Sequence, residues 1–242
     1  MSRDQLTVII PAAGVGRRMK SYGPKPLIKI GNSTIIKNQI SLLQAYIPNV
    51  NIVLVCGFKA ERLMNETPDY ILKIENERYA QTNVVRSIGM GLRAAANSSQ
   101  VMVVYGDLVF NSEAIKHILL DESCVVVTDQ GMGDEEVGCI MDQKHILTNL
   151  MYDLPYKWGQ IALFANKELK LLKQFCWDEK NSTKFGFEII NQIVDRGGKF
   201  KCIHSDDIKI VDIDSSKDIS KAREILLGKL LFPIYKYQFY II

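Results

Sequence analysis

The stretch that most constrains this chain covers residues 8–30, VIIPAAGVGRRMKSYGPKPLIKI. A short apolar run at residues 7–10 ends at Pro11. Ala12, Ala13, Gly14 and Gly16 follow, then Arg17, Arg18 and Lys20, and finally Pro24-Lys25-Pro26-Leu27. Short β-branched runs bounded by Pro and Gly read as buried strands. This one opens into a small-residue loop carrying positive charge. Small residues let backbone N–H groups come close to an anion. Arginine forks onto phosphate oxygens, and lysine acts as a point charge. The loop therefore reads as a phosphate cradle. It is not the dinucleotide fingerprint, because GVGRRM lacks the third glycine and no acid closes a second strand near residue 30. It is not a Walker A loop either, since GK[ST] is missing.

Apolar strands and amphipathic helices alternate beyond the loop. Strands are expected at residues 51–56, 70–74, 101–105 and 124–127, with a short extended piece at 27–30. Helices are expected after a cap at Asn32 or Ser33, at residues 60–66, from Thr82 or Asn83 onward, and at 113–120 behind Ser112. Near-continuous apolar strands separated by helices mean a largely parallel sheet. After about residue 130 the rhythm changes. A hairpin at 137–150, a strand at 159–164, helices at 167–175 and 185–196, strands at 200–204 and 208–213, and a helix at 217–227 are expected. The fold class is α/β: a Rossmann-like, mostly parallel mixed sheet flanked by helices in three α/β/α layers. Residues 1–229 read as one domain, with a nucleotide-binding half to about residue 130 and an acceptor-binding half after it. Residues 230–242 form an apolar arm.

Carboxylates and polar side chains fall at strand ends, where open parallel sheets bind ligands. Asp107 follows Gly106 after the fourth strand and suits Mg²⁺; its plainer role is a turn. Asp212 and Asp214 are two apart on a strand, so both face one side. Ending the strand or capping the helix after it is an equal alternative for one of them. Asn83 and Ser87 lie where a helix start can hold anions or read a base, although capping is the simpler reading. Tyr152, Tyr156 and Trp158, with Asp153 among them, offer aromatic faces for a cationic or small acceptor, or simple cover for the sheet.

The pieces PAAGVGRRM, PKPLI, VCGFK, NERYAQTNVVRS, YGDLVF and VDIDSSKDISKAR occur in that order over residues 8–223. Together they resemble nucleotidyltransferases of the sugar-1-phosphate type, and most of all the bacterial choline-phosphate and aminophosphonate cytidylyltransferases. The resemblance implies a GT-A-like fold and a Mg²⁺-dependent transfer of NMP, from CTP first, to a small phosphate- or phosphonate-bearing acceptor with release of pyrophosphate. A sugar-1-phosphate acceptor giving an NDP-sugar is the alternative, and a GT-A glycosyltransferase a more distant one. It implies that Ala12, Ala13, Gly14 and Gly16 wrap the nucleotide with Asn83, Ser87, Gly106 and Asp107. Arg18 and Lys25 would hold the triphosphate through catalysis, and Asp107, Asp212 and Asp214 would hold the metal. Glu188 would touch the acceptor. The chain departs from the pattern at Pro11, at the missing tryptophan before the acidic pair, and at Asp212 where glutamate is frequent.

Of the 242 residues, 47% are hydrophobic, and the net charge of +3 implies no nucleic-acid partner. The five cysteines lack metal-ligand spacing and read as free thiols. No leader or membrane-span pattern is present, so a cytoplasmic address is expected. The apolar arm suggests a homodimer contact.

Overall fold

The computed structural model describes residues 6–16, 23–118, 121–129 and 136–227. Side-chain alternation along its central strands creates the layers. In β1 (Leu6–Ala12), Val8, Ile10 and Ala12 enter one core, while Ile9 enters the core on the opposite face. After β1 come β2 (Lys29–Ile30), β3 (Ser33–Thr34), α1 (Ile35–Tyr46), β4 (Asn51–Cys56), α2 (Ala60–Asn65), β5 (Leu72–Glu75), α3 (Val84–Ala94), β6 (Gln100–Val104) and β7 (Leu108–Phe110). The rest comprises α4 (Glu113–Lys116), β8 (Cys124–Thr128), β9 (Val137–Met141), β10 (Leu147–Tyr152), β11 (Tyr156–Ala165), α5 (Asn166–Trp177), α6 (Gly186–Asp195), β12 (Lys201–Ile203), β13 (Ile210–Asp212) and α7 (Ser216–Leu227).

β4 and β6 repeat the two-residue alternation. One face of the sheet is covered by α1, α2 and α4, through Ile36, Leu43, Leu63 and Ile115. The other is covered by α3, α5 and α6, through Val85, Leu92, Leu172 and Ile193. This is the three-layer α/β/α arrangement expected.

The sheet is mixed. Strands β6-β1-β4-β5 run parallel, as does the pair β8–β12. Between these two groups lies β11, antiparallel to β6, β8 and β9. Strand β8 therefore does not extend the parallel run. β7 and β13 form a separate antiparallel ribbon, which the sequence reading did not foresee.

Several boundaries moved for local reasons. Thr34 caps α1, accepting the Lys37 N–H at 3.4 Å, because Ser33 is taken up by the small β2–β3 hairpin and Asn32 by its turn. The extended piece expected at 27–30 is shortened to β2, because a 3₁₀ turn at Lys25–Leu27 precedes it. β5 starts at Leu72, and α4 is a four-residue helix. Asn83 caps α3, its Oδ1 accepting the Val84 N–H at 2.8 Å. Among the described residues no helix is long and apolar enough to cross a membrane. The 230–242 arm and its expected dimer contact lie outside the described residues.

Candidate active site

The ends of β1 and β6 and the segment after β5 converge on one cavity of about 780 Å³. Two glycines permit the approach. The Gly106 N–H donates to the Pro11 carbonyl at 3.1 Å, and a Cβ at Gly106 would stand 2.9 Å from the Ala12 Cβ. Gly16 has φ +58°, in the left-handed region that glycine adopts without a Cβ clash, and it packs on the Lys25 stem. Ala12, Ala13, Gly14, Gly16 and Lys25 all line the cavity. Arg18 lies outside the described residues.

The centre of the cavity is electrostatic. Lys25 Nζ donates to Asp107 Oδ2 at 3.1 Å and to Asp214 Oδ1 at 2.5 Å. Asp212 faces a different lysine: Lys157 Nζ donates to its Oδ1 at 2.7 Å and also pairs with Glu136. Burial disfavours the Lys25 ammonium, but Asp107 and Asp214 outweigh burial and hold its pKa above the ordinary lysine value. Burial pushes the Asp107 carboxyl upward; Lys25 opposes the rise, while Asp212 and Asp214 add to it. For Asp212, burial acts upward too, yet Lys157 prevails and the carboxyl sits below its usual range. Lys157 is raised in turn: burial lowers it, and Asp212 and Glu136 more than compensate.

These donors fit a hard divalent cation. Asp107 and Asp214 already flank one positive charge, and two carboxylates with substrate phosphates are a usual Mg²⁺ set. Asp212 is a step removed, on Lys157. Among the described residues, the one group of three whose donor atoms all lie within 4.8 Å of one another is Asp129, His204 and Asp206. None of those three lines the cavity.

The start of α3 forms the opposite wall. Asn83 and Ser87 both line the cavity. Ser87 is buried, and the Asn76 amide donates to its Oγ at 3.2 Å. Asn76 also donates to Thr82 Oγ1 at 3.3 Å and accepts the Arg78 N–H at 3.1 Å, so one buried amide ties the loop to the helix.

The far end is aromatic. Trp158 packs edge-on against Tyr105 at 5.7 Å, Tyr152 against Phe187 at 5.8 Å, and Phe185 stacks on Phe187. All five rings line the cavity. Tyr156 and Glu188 do not. Tyr156 packs on His204 at 5.6 Å. Glu188 folds back to accept the Phe185 N–H at 2.7 Å as the third residue of α6, the capping position a glutamate is often recruited to fill.

With this geometry in view, the chain matches the model of the MobA-like NTP transferase domain over residues 8–183. It belongs to that family. The bifunctional protein GlmU of Buchnera aphidicola subsp. Schizaphis graminum is 28% identical over 121 residues, which are 49% of this chain and 25% of that protein. The chain thus spans about a quarter of the length of that relative. Among solved structures, the CTP:phosphocholine cytidylyltransferase LicC of Streptococcus pneumoniae superposes with a TM-score of 0.75 at 19% identity, over 92% of this chain and 99% of that one. The inositol-1-phosphate CTP transferase of T. maritima gives 0.75 at 18%, over 94% and 96%. At such identities the likeness is one of fold, and it is the GT-A-like nucleotidyltransferase fold.

Family membership makes this an NTP-using transferase domain, and the structure draws attention to residues in and behind the cavity wall that the sequence reading did not select. Lys157 lies behind the wall, the one lysine in β11. Asn76 opens the NERYAQTNVVRS piece but was given no role of its own, and Glu136, Gln160, Phe185 and Phe187 stood in none of the motif pieces. Gln39 is further back: from α1, its buried amide donates to the carbonyls of Tyr105 and Leu108, each at 2.8 Å, and so brackets the turn that carries Asp107.

Proposed function

We propose that this domain transfers the nucleoside monophosphate of an NTP to the phosphate of a small phosphorylated polyol, a sugar phosphate foremost, and releases pyrophosphate. The observation that carries this reading is Lys25, which joins Asp107 and Asp214 at the mouth of the β1 anion loop. CTP is the first nucleotide to test, because both structural neighbours named above carry CTP in their names. The acceptor class is supported by the far end of the cavity, where rings that can face a sugar adjoin the amide of Gln160 and the carboxylate of Glu136. The exposed Phe185 and Tyr152 rings support a second reading, a phosphocholine-like acceptor held by cation–π contact.

A phosphate monoester is largely dianionic near neutral pH, with its second pKa about 6, so the acceptor needs no general base. An acceptor phosphate oxygen bonds to the α-phosphorus as the bond from that phosphorus to the α–β bridging oxygen breaks, and pyrophosphate leaves with the electron pair. The chain's part is to bring two anions together and keep them in line. The loop from Ala12 to Gly16 offers backbone N–H groups to the triphosphate, and the start of α3 sets the positive end of its helix dipole beside it. Lys25 neutralises charge on the nucleotide side, and Lys157, behind the wall, holds the Asp212 and Glu136 carboxylates in place. Asp107 and Asp214 would hold Mg²⁺, which when bound supplies charge neutralisation at the triphosphate. Pyrophosphate release measured for four NTPs against glucose 1-phosphate, inositol 1-phosphate and phosphocholine tests the reading. Turnover with a polyol phosphate supports it, and turnover with phosphocholine alone replaces it by the second reading.

A further inference from the structure

One residue in the cavity wall has an unusual backbone. Gln160 has φ +55°, a left-handed conformation that L side chains rarely adopt. It sits where the β11–β8 register shifts between Trp158 and Ala162, the mark of a bulge that re-aims a side chain. Its carbonyl accepts the Tyr105 N–H at 3.4 Å, which ties the bulge to the strand end that leads to Asp107. The preceding residue is Gly159, which would adopt a left-handed backbone without strain. The strain falls instead on the residue whose side chain lines the cavity. Residues after Gln160 in β11, from Ile161 to Ala165, are all buried and apolar. The Gln160 amide has no hydrogen-bond partner among the described residues, and its atoms are not sealed from solvent. Strain of this kind persists where surrounding structure enforces it, and it collects at binding sites.

We infer that Gln160 determines acceptor specificity: its amide hydrogen-bonds a hydroxyl of the phosphorylated polyol seated against the Trp158 and Tyr105 side of the cavity. The inference rests on the polyol-phosphate reading above and adds the residue that reads the hydroxyl. A site that offers such a group to a substrate hydroxyl discriminates against acceptors lacking one, because its own polar atoms are then left unpaired.

The test uses two variants of the full chain. Gln160→Met keeps the side-chain length and loses the hydrogen bond; Gln160→Gly loses the side chain and relieves the backbone. With glucose 1-phosphate or inositol 1-phosphate, kcat/KM for the acceptor should fall about three- to tenfold in both variants, the range for one net hydrogen bond. KM for the NTP should stay at the wild-type value, and Gln160→Gly should melt no lower than wild type. An unchanged acceptor kcat/KM in both variants overturns the inference. So does a fall accompanied by an equal loss in NTP KM and a lower melting temperature in Gln160→Gly, which marks a structural role. If the wild-type chain releases no pyrophosphate with either polyol phosphate, the parent reading fails first and takes this one with it.

Discussion

Replacing Lys157 by methionine should destabilise the domain, and in a pH-dependent way. The Lys157 side chain is 8% exposed and its partner Asp212 11%, whereas Glu136 is 24% exposed. Methionine keeps the volume and removes the charge, leaving both carboxylates without their ammonium. Breaking a buried pair costs about 3–5 kcal/mol. Glu136 recovers some water, so Asp212 dominates and the lower end applies, about 3 kcal/mol. For a chain of this size that corresponds to a drop in melting temperature of about 6–12 °C. The pH dependence follows from Asp212. In the wild type its folded pKa is depressed by Lys157, so the pair's contribution is present above the unfolded carboxylate pKa and is lost as pH falls through the depressed folded value. In the variant burial is opposed only by a backbone N–H and by Lys25, so the Asp212 pKa rises and proton uptake relieves the penalty. The deficit should therefore be largest near pH 7.5 and narrow towards about pH 5. Thermal melts of both proteins with a chelator present, alongside Lys157→Arg as a charge-keeping control, measure it. A deficit below about 1 kcal/mol near pH 7.5, or one that does not shrink on acidification, refutes the account.

Lys25→Ala should leave the fold intact and reduce pyrophosphate release by about a hundredfold, the scale of losing about 2–4 kcal/mol of transition-state stabilisation; activity within a few-fold of wild type in the same assay counts against the site. Gly186→Ala would set a Cβ 2.2 Å from the Tyr105 hydroxyl, so Tyr105 must move. A loss of about 1–3 kcal/mol in urea denaturation is expected, with a weakened acceptor KM. Gln39→Leu strips both donors from the Tyr105 and Leu108 carbonyls. It should cost about 2 kcal/mol in the same denaturation experiment. It should also weaken Mn²⁺ binding followed by electron paramagnetic resonance, because Asp107 rides on that turn; unchanged Mn²⁺ affinity would make Gln39 a purely structural residue.

Much of the architecture was readable because buried strands announce themselves. The runs in β4, β6 and β8 are continuous, apolar and bounded by turn residues, and each was found to within a residue. Direction was not readable. Apolar strands look alike whether parallel or antiparallel, so nothing in GQIALFA revealed that β11 runs against β6 and separates β8 from the other parallel strands. On the site side, the glycine-rich loop, Lys25, Asp107, Asn83 and Ser87 were visible because each stands at the end of an element. Glu188 is ambiguous in sequence, since a glutamate three residues into a helix looks the same whether it meets a substrate or, as in this structure, caps its own helix. Lys157 went unseen for the opposite reason: its partners, Glu136 and Asp212, are 21 and 55 residues away in sequence and meet it only through the fold.

The acids themselves depend on the element the sequence hid. Asp107 and Asp214 belong to opposite strands of the β7–β13 ribbon, or to the residues flanking them. Their separation is therefore set by its register: Asp212 pairs with Leu108, and the Ile213 N–H donates to the Asp107 carbonyl at 3.1 Å. A slip of one residue would turn every side chain of β13 to the other face. The core prevents the slip. Val211 and Ile213, which alternate with Asp212 and Asp214, are buried with Ala222 of α7 in a small core of their own. Asp218, in the first turn of α7, then accepts the N–H groups of Asp214 and Ser215 at 3.2 and 2.7 Å and fixes where the strand ends. The run VDIDSSKD thus divides its labour by position: two apolar residues hold register, two acids face the cavity, and the last acid secures the turn that aims Asp214 at Lys25.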